Sequence, residues 1–393
     1  MTYSFEQARE SVLREVGGLG ASEQALTSDS AGRVLAEDIF ADRDYPPFAR
    51  SARDGFAVRA ADLPGELRVI GEVRAGEVFE GAIGTGEAVE IMTGAPMPAG
   101  ADAVVMIEHT RRSDDRLVIE RSLDPGDNFN PRGAEARRGD RVLTAGVPLG
   151  FAEIAVLATV GRTCVSVHRM PRVAILPTGD EIVEAGTQPR EFQIRNSNAW
   201  SLAAQTRRAG AIPEILPIAR DEYEPTRASI ERGLAFDLLL LSGGVSAGKY
   251  DIVERVLADL GATFFFDRVL IQPGQPLVFG RARDTFFFGL PGNPASTMVT
   301  FELFARAAID RLSGVLKPWL PLLRAKLNSE VRHKPGLTRF LPARLSDDGS
   351  TVQPETWQGS GDVAALARAN AFLVADADRE TWNAGDDIRV LIK

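Results

Sequence analysis

The chain is poor in the residues that build covalent or metal-held frameworks. Of its 393 residues only Cys164 is cysteine, which excludes an internal disulfide and a zinc-finger framework. Histidine is nearly as scarce, and His109, His168 and His333 show no metal-ligand spacing. In "GRTCVSVHRMPRVAIL", Cys164 is expected to pack as a small hydrophobe, with His168 at the surface of the same segment. No apolar run approaches a membrane span, and the N-terminal "MTYSFEQARESVLREVGG" breaks its apolar positions with charges, unlike a signal peptide. A cytoplasmic protein with no membrane partner is the expectation. Positive charge is in deficit as well. A formal charge of −9 and a pI near 5.2 argue against a nucleic-acid partner, whose phosphates demand a basic face, so any anion site must be local.

What the chain has in quantity is apolar content. At 44% hydrophobic residues it can fill several cores, and its length exceeds what one core usually organises, so roughly two to four domains are expected. Phe5, Ala8, Val12, Leu13 and Val16 recur at helical spacing before Gly17 and Gly18, predicting an amphipathic helix within 1–22 that docks on a neighbouring domain. Short β-like pieces such as "ELRVIGEV" and "ADAVVMIEHT" predict a β-rich module over 41–140. Its flanks, 23–40 and 141–170, would form an elongated linking domain. Residues 171–315 alternate strand and helix, which predicts a central three-layer α/β domain with a mostly parallel sheet. Beyond Pro318 and Pro321 short strands return, predicting a barrel-like β domain over 316–393. The fold class expected is therefore multidomain α/β plus β.

Four loops stand out. In "LLLLSGGVSAGKYDIVERVL" the wholly apolar Leu238–Leu241 reads as a strand buried on both faces. Gly243, Gly244 and Gly248 then allow backbone N–H groups to wrap an anion before a helix starts. Asp251 and Glu254 there could serve the helix dipole or a ligand. In "ILPTGDEIVEAG", Thr178 and Gly179 suit a turn, but the carboxylates of Asp180 and Glu181 at a strand end exceed what a turn needs. In "GLPGNPASTMVTFELF", Asn293 reads as an N-cap with Pro294 at the first helical position, and Pro291, Gly292 and Ser296 incline the loop towards a ligand. In "RSARDGFAVRAAD", Asp54 and Gly55 alone would read as a hairpin turn.

The order of these pieces resembles the molybdopterin molybdenumtransferase family, comprising the MoeA enzymes and the E domain of gephyrin. The resemblance spans nearly the whole chain and rests on "SARDGFAV" at 51–58, "IMTGAPMPAGADAVVMIE" at 91–108, "RGAEARRGD" at 132–140, "PTGDEI" at 177–182, "NSNAWSL" at 196–202, "SGGVSAGKYD" at 242–251 and "GLPGNPAS" at 289–296. It implies molybdenum cofactor biosynthesis: magnesium-dependent insertion of molybdate into adenylylated molybdopterin, with release of AMP. Asp54, Thr93, Glu181 and Asp251 would act in catalysis, with Glu181 and Asp251 as the magnesium ligands. The pterin nucleotide would lie on Gly243, Gly244, Ser246, Gly248 and Lys249, on Pro291, Gly292, Asn293, Pro294 and Ser296, and on Glu135. The family's site forms between the β module of one subunit and the α/β domain of another, so a homodimer is implied, with a molybdopterin adenylyltransferase as a further partner. A non-catalytic dimer of the same fold, binding the pterin nucleotide or serving as a scaffold, is the alternative.

The departures are as specific as the matches. "IQPGQP" at 271–276 carries Gln272 and Gln275 where the family usually has two lysines that help to bind molybdate. Leu337 stands where an arginine is common, and Ala364 and Ala365 where a serine is common. Glutamine still donates hydrogen bonds to an oxyanion, but charge-assisted ones are stronger. A compensating cation is expected among Lys249, Arg339 and Arg344, each of which could equally be a solvated surface charge.

Overall fold

The computed structural model of the chain describes residues 1–243 and 252–393. Gly244, Ser246, Gly248, Lys249 and Asp251 lie outside the described residues.

The central sheet has six strands in the order Ile212–Ile215, Arg172–Pro177, Leu238–Ser242, Thr285–Leu290, Val278–Ala282 and Thr263–Phe266. The first three pairings are parallel and the last two antiparallel. The apolar run has a direct cause in this arrangement. Leu238 and Leu240 join Val173 and Ile175 in one core with the helix Asn198–Arg208, whereas Leu239 and Leu241 join Ala174 and Leu176 in a second core with the helices Tyr223–Gly233 and Ile252–Asp259. Alternate side chains of one strand thus enter opposite cores, and neither face tolerates a polar residue. Full burial of each such leucine stabilises by about 1.5–3 kcal/mol. The three-layer α/β architecture follows.

The N-terminal helix is Phe5–Glu15. Ser4 and Gln7 cap it reciprocally, Gln7 N donating to Ser4 Oγ at 3.2 Å and Ser4 N to Gln7 Oε1 at 2.9 Å. Its Phe5 ring meets Phe304 and Phe340 edge-on, so the helix docks where the α/β layer meets the C-terminal domain.

The β module holds a second six-stranded sheet, ordered Ala103–Met106, Gly55–Val58, Glu87–Ile91, Gly65–Val73, Arg116–Ile119 and Arg111–Ser113. Between this sheet and the α/β layer run two-stranded ladders, Ser22–Leu26 with Cys164–His168 and Ile39–Phe40 with Arg141–Leu143. In the first ladder Val165 and Val167 face a core while Cys164 is exposed, its Sγ 3.4 Å from Gln24 Oε1. The expectation of a packed cysteine fails because Cys164 falls on the wet side of the alternation.

The C-terminal region closes a five-stranded barrel. Thr338–Leu345, Thr351–Pro354, Leu322–Leu327, Asp387–Ile392 and Ala371–Ala375 pair in that sequence, and the last strand pairs back with the first. The short strand Ile271–Gln272 of the α/β region adds in parallel to Thr338–Arg339 of the barrel, joining the loop 271–276 to the C-terminal domain.

Candidate functional site

A cavity of about 720 Å³ opens at the C-terminal ends of the parallel strands, where open α/β sheets place their ligands. Three walls form it. Strand ends and the turns after them contribute Thr178, Gly179, Glu181, Ser242 and Gly243, the loop before the helix Pro294–Thr300 contributes Pro291, Gly292, Asn293 and Ser296, and the side facing the barrel carries Gln272, Gln275, Leu337, Trp357 and Ser360.

Close backbone approach explains two of the glycines. Gly243 has φ +95°, and a Cβ there would lie 2.6 Å from the Thr178 carbonyl oxygen. Gly179 has φ +140°, and a Cβ there would lie 2.7 Å from a carboxylate oxygen of Glu181, which folds back over the turn. Asn198, at the start of its helix, donates from Nδ2 to Ser242 Oγ at 3.0 Å and to the Gly292 carbonyl at 2.7 Å, tying two walls together. Its Oδ1 and the Thr178 hydroxyl are buried without a hydrogen-bond partner among the described residues. Buried polar atoms are rarely left so, and these two belong to cavity-lining residues.

The charge in the cavity is one-sided. Glu181 and Asp221 are the acidic lining residues, and no lysine or arginine lines it among the described residues. Desolvation, and then repulsion from Asp180 and Glu181, pushes the Asp221 carboxyl above its ordinary range. A cation placed here would relieve that repulsion. Among the described residues no three His, Cys, Asp or Glu side chains converge to hold a metal alone. Glu181 and Asp221 are instead the kind of sparse carboxylate donors that suit magnesium, which completes its shell with phosphate oxygens and water.

Several residues expected at the site line this cavity: Glu181, Gly243, Pro291, Gly292, Asn293, Ser296, Gln272 and Gln275. Pro294 does not, and occupies the first turn of its helix. Asn293 holds the N-cap position but makes no side-chain cap bond. The expected N-cap position of Asn293, with Pro294 opening the helix, is therefore observed, while its carboxamide is left beside the cavity. Arg339 is not in the lining, although it is in register with Gln272 across the added strand. Arg344 donates to the Arg368 carbonyl at 3.3 Å, on the exposed outside of the barrel.

Asp54 and Thr93 pair with each other on the β module, and Glu135 lies elsewhere on the same module. Asp54 accepts from Thr93 N at 2.7 Å and from Thr93 Oγ1 at 2.8 Å, and these bonds hold its carboxyl below the usual range. A local hairpin is excluded, because Gly55 begins a strand that pairs with Glu87–Ile91 and Ala103–Met106 and not with its own neighbour. Glu135 is engaged by Arg50 at 2.6 Å. On the same module Arg53, Arg137 and Arg138 are exposed, with no carboxylate within ion-pair distance among the described residues. No described residue of 41–140 lines the cavity.

Sequence reasoning missed Asp221, Trp357 and Ser360. Asp221 reaches the cavity because its loop pairs with the 178–181 turn, through a Thr178–Ala219 bridge and an Asp221 N to Asp180 Oδ1 bond of 3.2 Å. Ser360, four residues before Ala364, lines the cavity, and its carbonyl accepts from Ala295 N at 2.9 Å.

An α/β ligand domain carrying an inserted β module and a C-terminal barrel is matched along its length by three family models: "MoeA N-terminal region (domain I and II)" over residues 3–161, "Probable molybdopterin binding domain" over 174–311 and "MoeA C-terminal region (domain IV)" over 324–393. The molybdopterin molybdenumtransferase of Staphylococcus epidermidis is 34% identical over 374 residues, covering 93% of this chain and 89% of that one. That of Staphylococcus aureus is 32% identical over 397 residues, covering 98% and 94%. Two crystal structures of the molybdopterin biosynthesis MoeA protein of Pyrococcus horikoshii align over the full chain. One is 32% identical with a TM-score of 0.74 and covers 99% of that chain, and the other is 27% identical with a TM-score of 0.83 and covers all of it. The chain belongs to the molybdopterin molybdenumtransferase (MoeA) family.

Proposed function

We propose that this molybdopterin molybdenumtransferase of molybdenum cofactor biosynthesis takes adenylylated molybdopterin and molybdate as substrates, inserts the metal into the dithiolene and releases AMP with magnesium. The observation that carries the reading is the division of charge. The cavity that would take a nucleotide phosphoanhydride has carboxylates and neutral donors but no cation among its described lining residues, whereas the β module carries the exposed Arg53 next to Asp54 in the chain, with no carboxylate within ion-pair distance among the described residues. A dianionic substrate requires both halves. Two copies of the chain arranged so that the β module of one faces the cavity of the other would supply them, which makes the homodimer the working unit.

Glu181, with Asp251, would hold magnesium, and Asp221 stands close to Glu181 as a further acidic group. When bound, the metal supplies charge screening of the phosphates. Asn198 and Thr178, through the buried polar atoms they leave free, together with Asn293 and the glycine-lined turn at 243, would orient the pterin nucleotide. Asp54, its carboxylate kept ionised and aimed by Thr93, would reach the reacting phosphate or its water from the partner copy. Gln272, Gln275 and Ser360 would face molybdate. A molybdopterin adenylyltransferase supplies the substrate on this reading, and both proteins act in the cytoplasm.

The test is AMP release from purified protein given adenylylated molybdopterin, magnesium and molybdate, read together with formation of active cofactor. Release dependent on both metals supports the reading. Tight nucleotide binding with no release would assign the chain to a scaffold role instead.

A further inference from the structure

We infer that Arg339 of the C-terminal barrel is the positive charge of the molybdate subsite, and that it replaces by way of strand register the cations missing at 272 and 275. The inference rests on the proposed assignment of the 271–276 loop to the oxyanion.

Gln272 and Arg339 are Cα partners in the parallel pairing that joins this loop to the barrel. Paired residues of adjacent strands present their side chains on one face of a sheet, and residues two apart on a strand share that face. Arg339 therefore shares a face with Gln272 and with Leu337, both of which line the cavity. On the opposite face Thr338 and Phe340 are buried and Ile271 also reaches the cavity, while Arg339's own face continues through Leu341 and Ala343 into the barrel core, so Arg339 sits where that core meets the cavity.

Arg339 is also uncommitted. Its Nε is buried and has no hydrogen-bond partner, and its guanidinium has no ion-pair partner among the described residues. Partly buried arginines elsewhere in the chain are neutralised: Arg306 by Glu302, and Arg389 by Asp376, the residue after Arg339's cross-strand partner Ala375. A desolvated guanidinium N–H without an acceptor is costly to maintain, and a dianion beside Gln272 would satisfy it. Leu337, Trp357 and the neutral glutamines leave the adjoining subsite with hydrogen-bond donors but no other described cation. One offset arginine with neutral donors gives a subsite with a single charge-assisted contact.

The experiment measures the sodium molybdate concentration for half-maximal AMP release, and the affinity for adenylylated molybdopterin, in the full-length protein. Arg339→Gln should raise the molybdate requirement by about tenfold, and Arg339→Lys by less than about threefold, with nucleotide affinity unchanged in both. Wild type should need more molybdate as salt rises, and Arg339→Gln should lose that dependence. Installing the Gln272→Lys change in the Arg339→Gln background should restore low-concentration saturation, which also separates a charge effect from a folding defect. If Arg339→Gln leaves the requirement unchanged while Gln272→Ala and Gln275→Ala raise it, the arginine inference is overturned and the loop assignment stands. If none of the three moves it, the oxyanion lies elsewhere and the loop assignment fails too.

Discussion

The cavity and the β module make an instructive pair. The cavity's described wall holds two carboxylates, a set of neutral donors and no basic side chain. The β module carries an oriented carboxylate at Asp54 and three exposed arginines without carboxylates within ion-pair distance among the described residues. Neither region is complete for a phosphate-bearing substrate. Each supplies what the other lacks, and within one copy no described residue of the module lines the cavity. The lesson is that the site should be sought between copies, with the fold keeping its two halves on separate rigid sheets.

That contrast can be broken from either side. The largest effect is expected from Glu181→Gln, which keeps size but removes a cavity carboxylate. AMP release should fall by about a hundredfold or more, and because Glu181 is exposed the melting temperature should hardly change. A large loss of stability with retained turnover would make Glu181 a structural residue. On the module side, Thr93→Val removes the hydroxyl bond to Asp54 but spares the backbone N–H bond. Turnover should fall by about tenfold, with the loss concentrated in kcat because Asp54 is aimed and not deleted. An unchanged kcat would detach Asp54 from the chemistry.

A smaller effect is expected far from both halves. Asp310 lies where the N-terminal helix packs against 306–312. Burial raises its carboxyl to about 6, against the opposing pull of Arg306 and Arg9. A raised folded-state value means that Asp310 favours the folded state below its unfolded value near 4, and that this contribution is lost as pH climbs through about 6. Asp310→Asn should therefore stabilise at pH 8 by on the order of 1–3 kcal/mol and have little effect near pH 4, measured by urea unfolding, while AMP release stays at the wild-type rate. The reverse pH order would show that its attraction to Arg9 and Arg306 dominates.

Much of the architecture was legible because it rests on local pattern. The Leu238–Leu241 run is apolar because both sheet faces are covered, and the Ser4 and Gln7 pair marks a helix start that the structure caps as written. The site was legible where motif and cavity coincide, at Glu181, Gly243 and 291–293. It was opaque where a role arises from non-local pairing. Asp221 becomes a cavity residue through one bridge to the neighbouring strand end, Ser360 through a loop returning from the barrel, and Arg339 acquires its neighbour Gln272 only by register. Cys164 was legible in principle, since Val165 and Val167 alternate against it, but a lone thiol in an apolar stretch was weighted by type and not by face.

The division of the site between copies is tested most directly by complementation. Asp54→Ala and Glu181→Ala chains, each inactive alone, should be mixed and the heterodimer isolated by two different affinity tags. On this account it carries one site with both halves intact and one with neither, and AMP release should return to about half the wild-type rate per dimer. A verified heterodimer that remains inactive would contradict it, placing Asp54 and Glu181 in the site of a single chain.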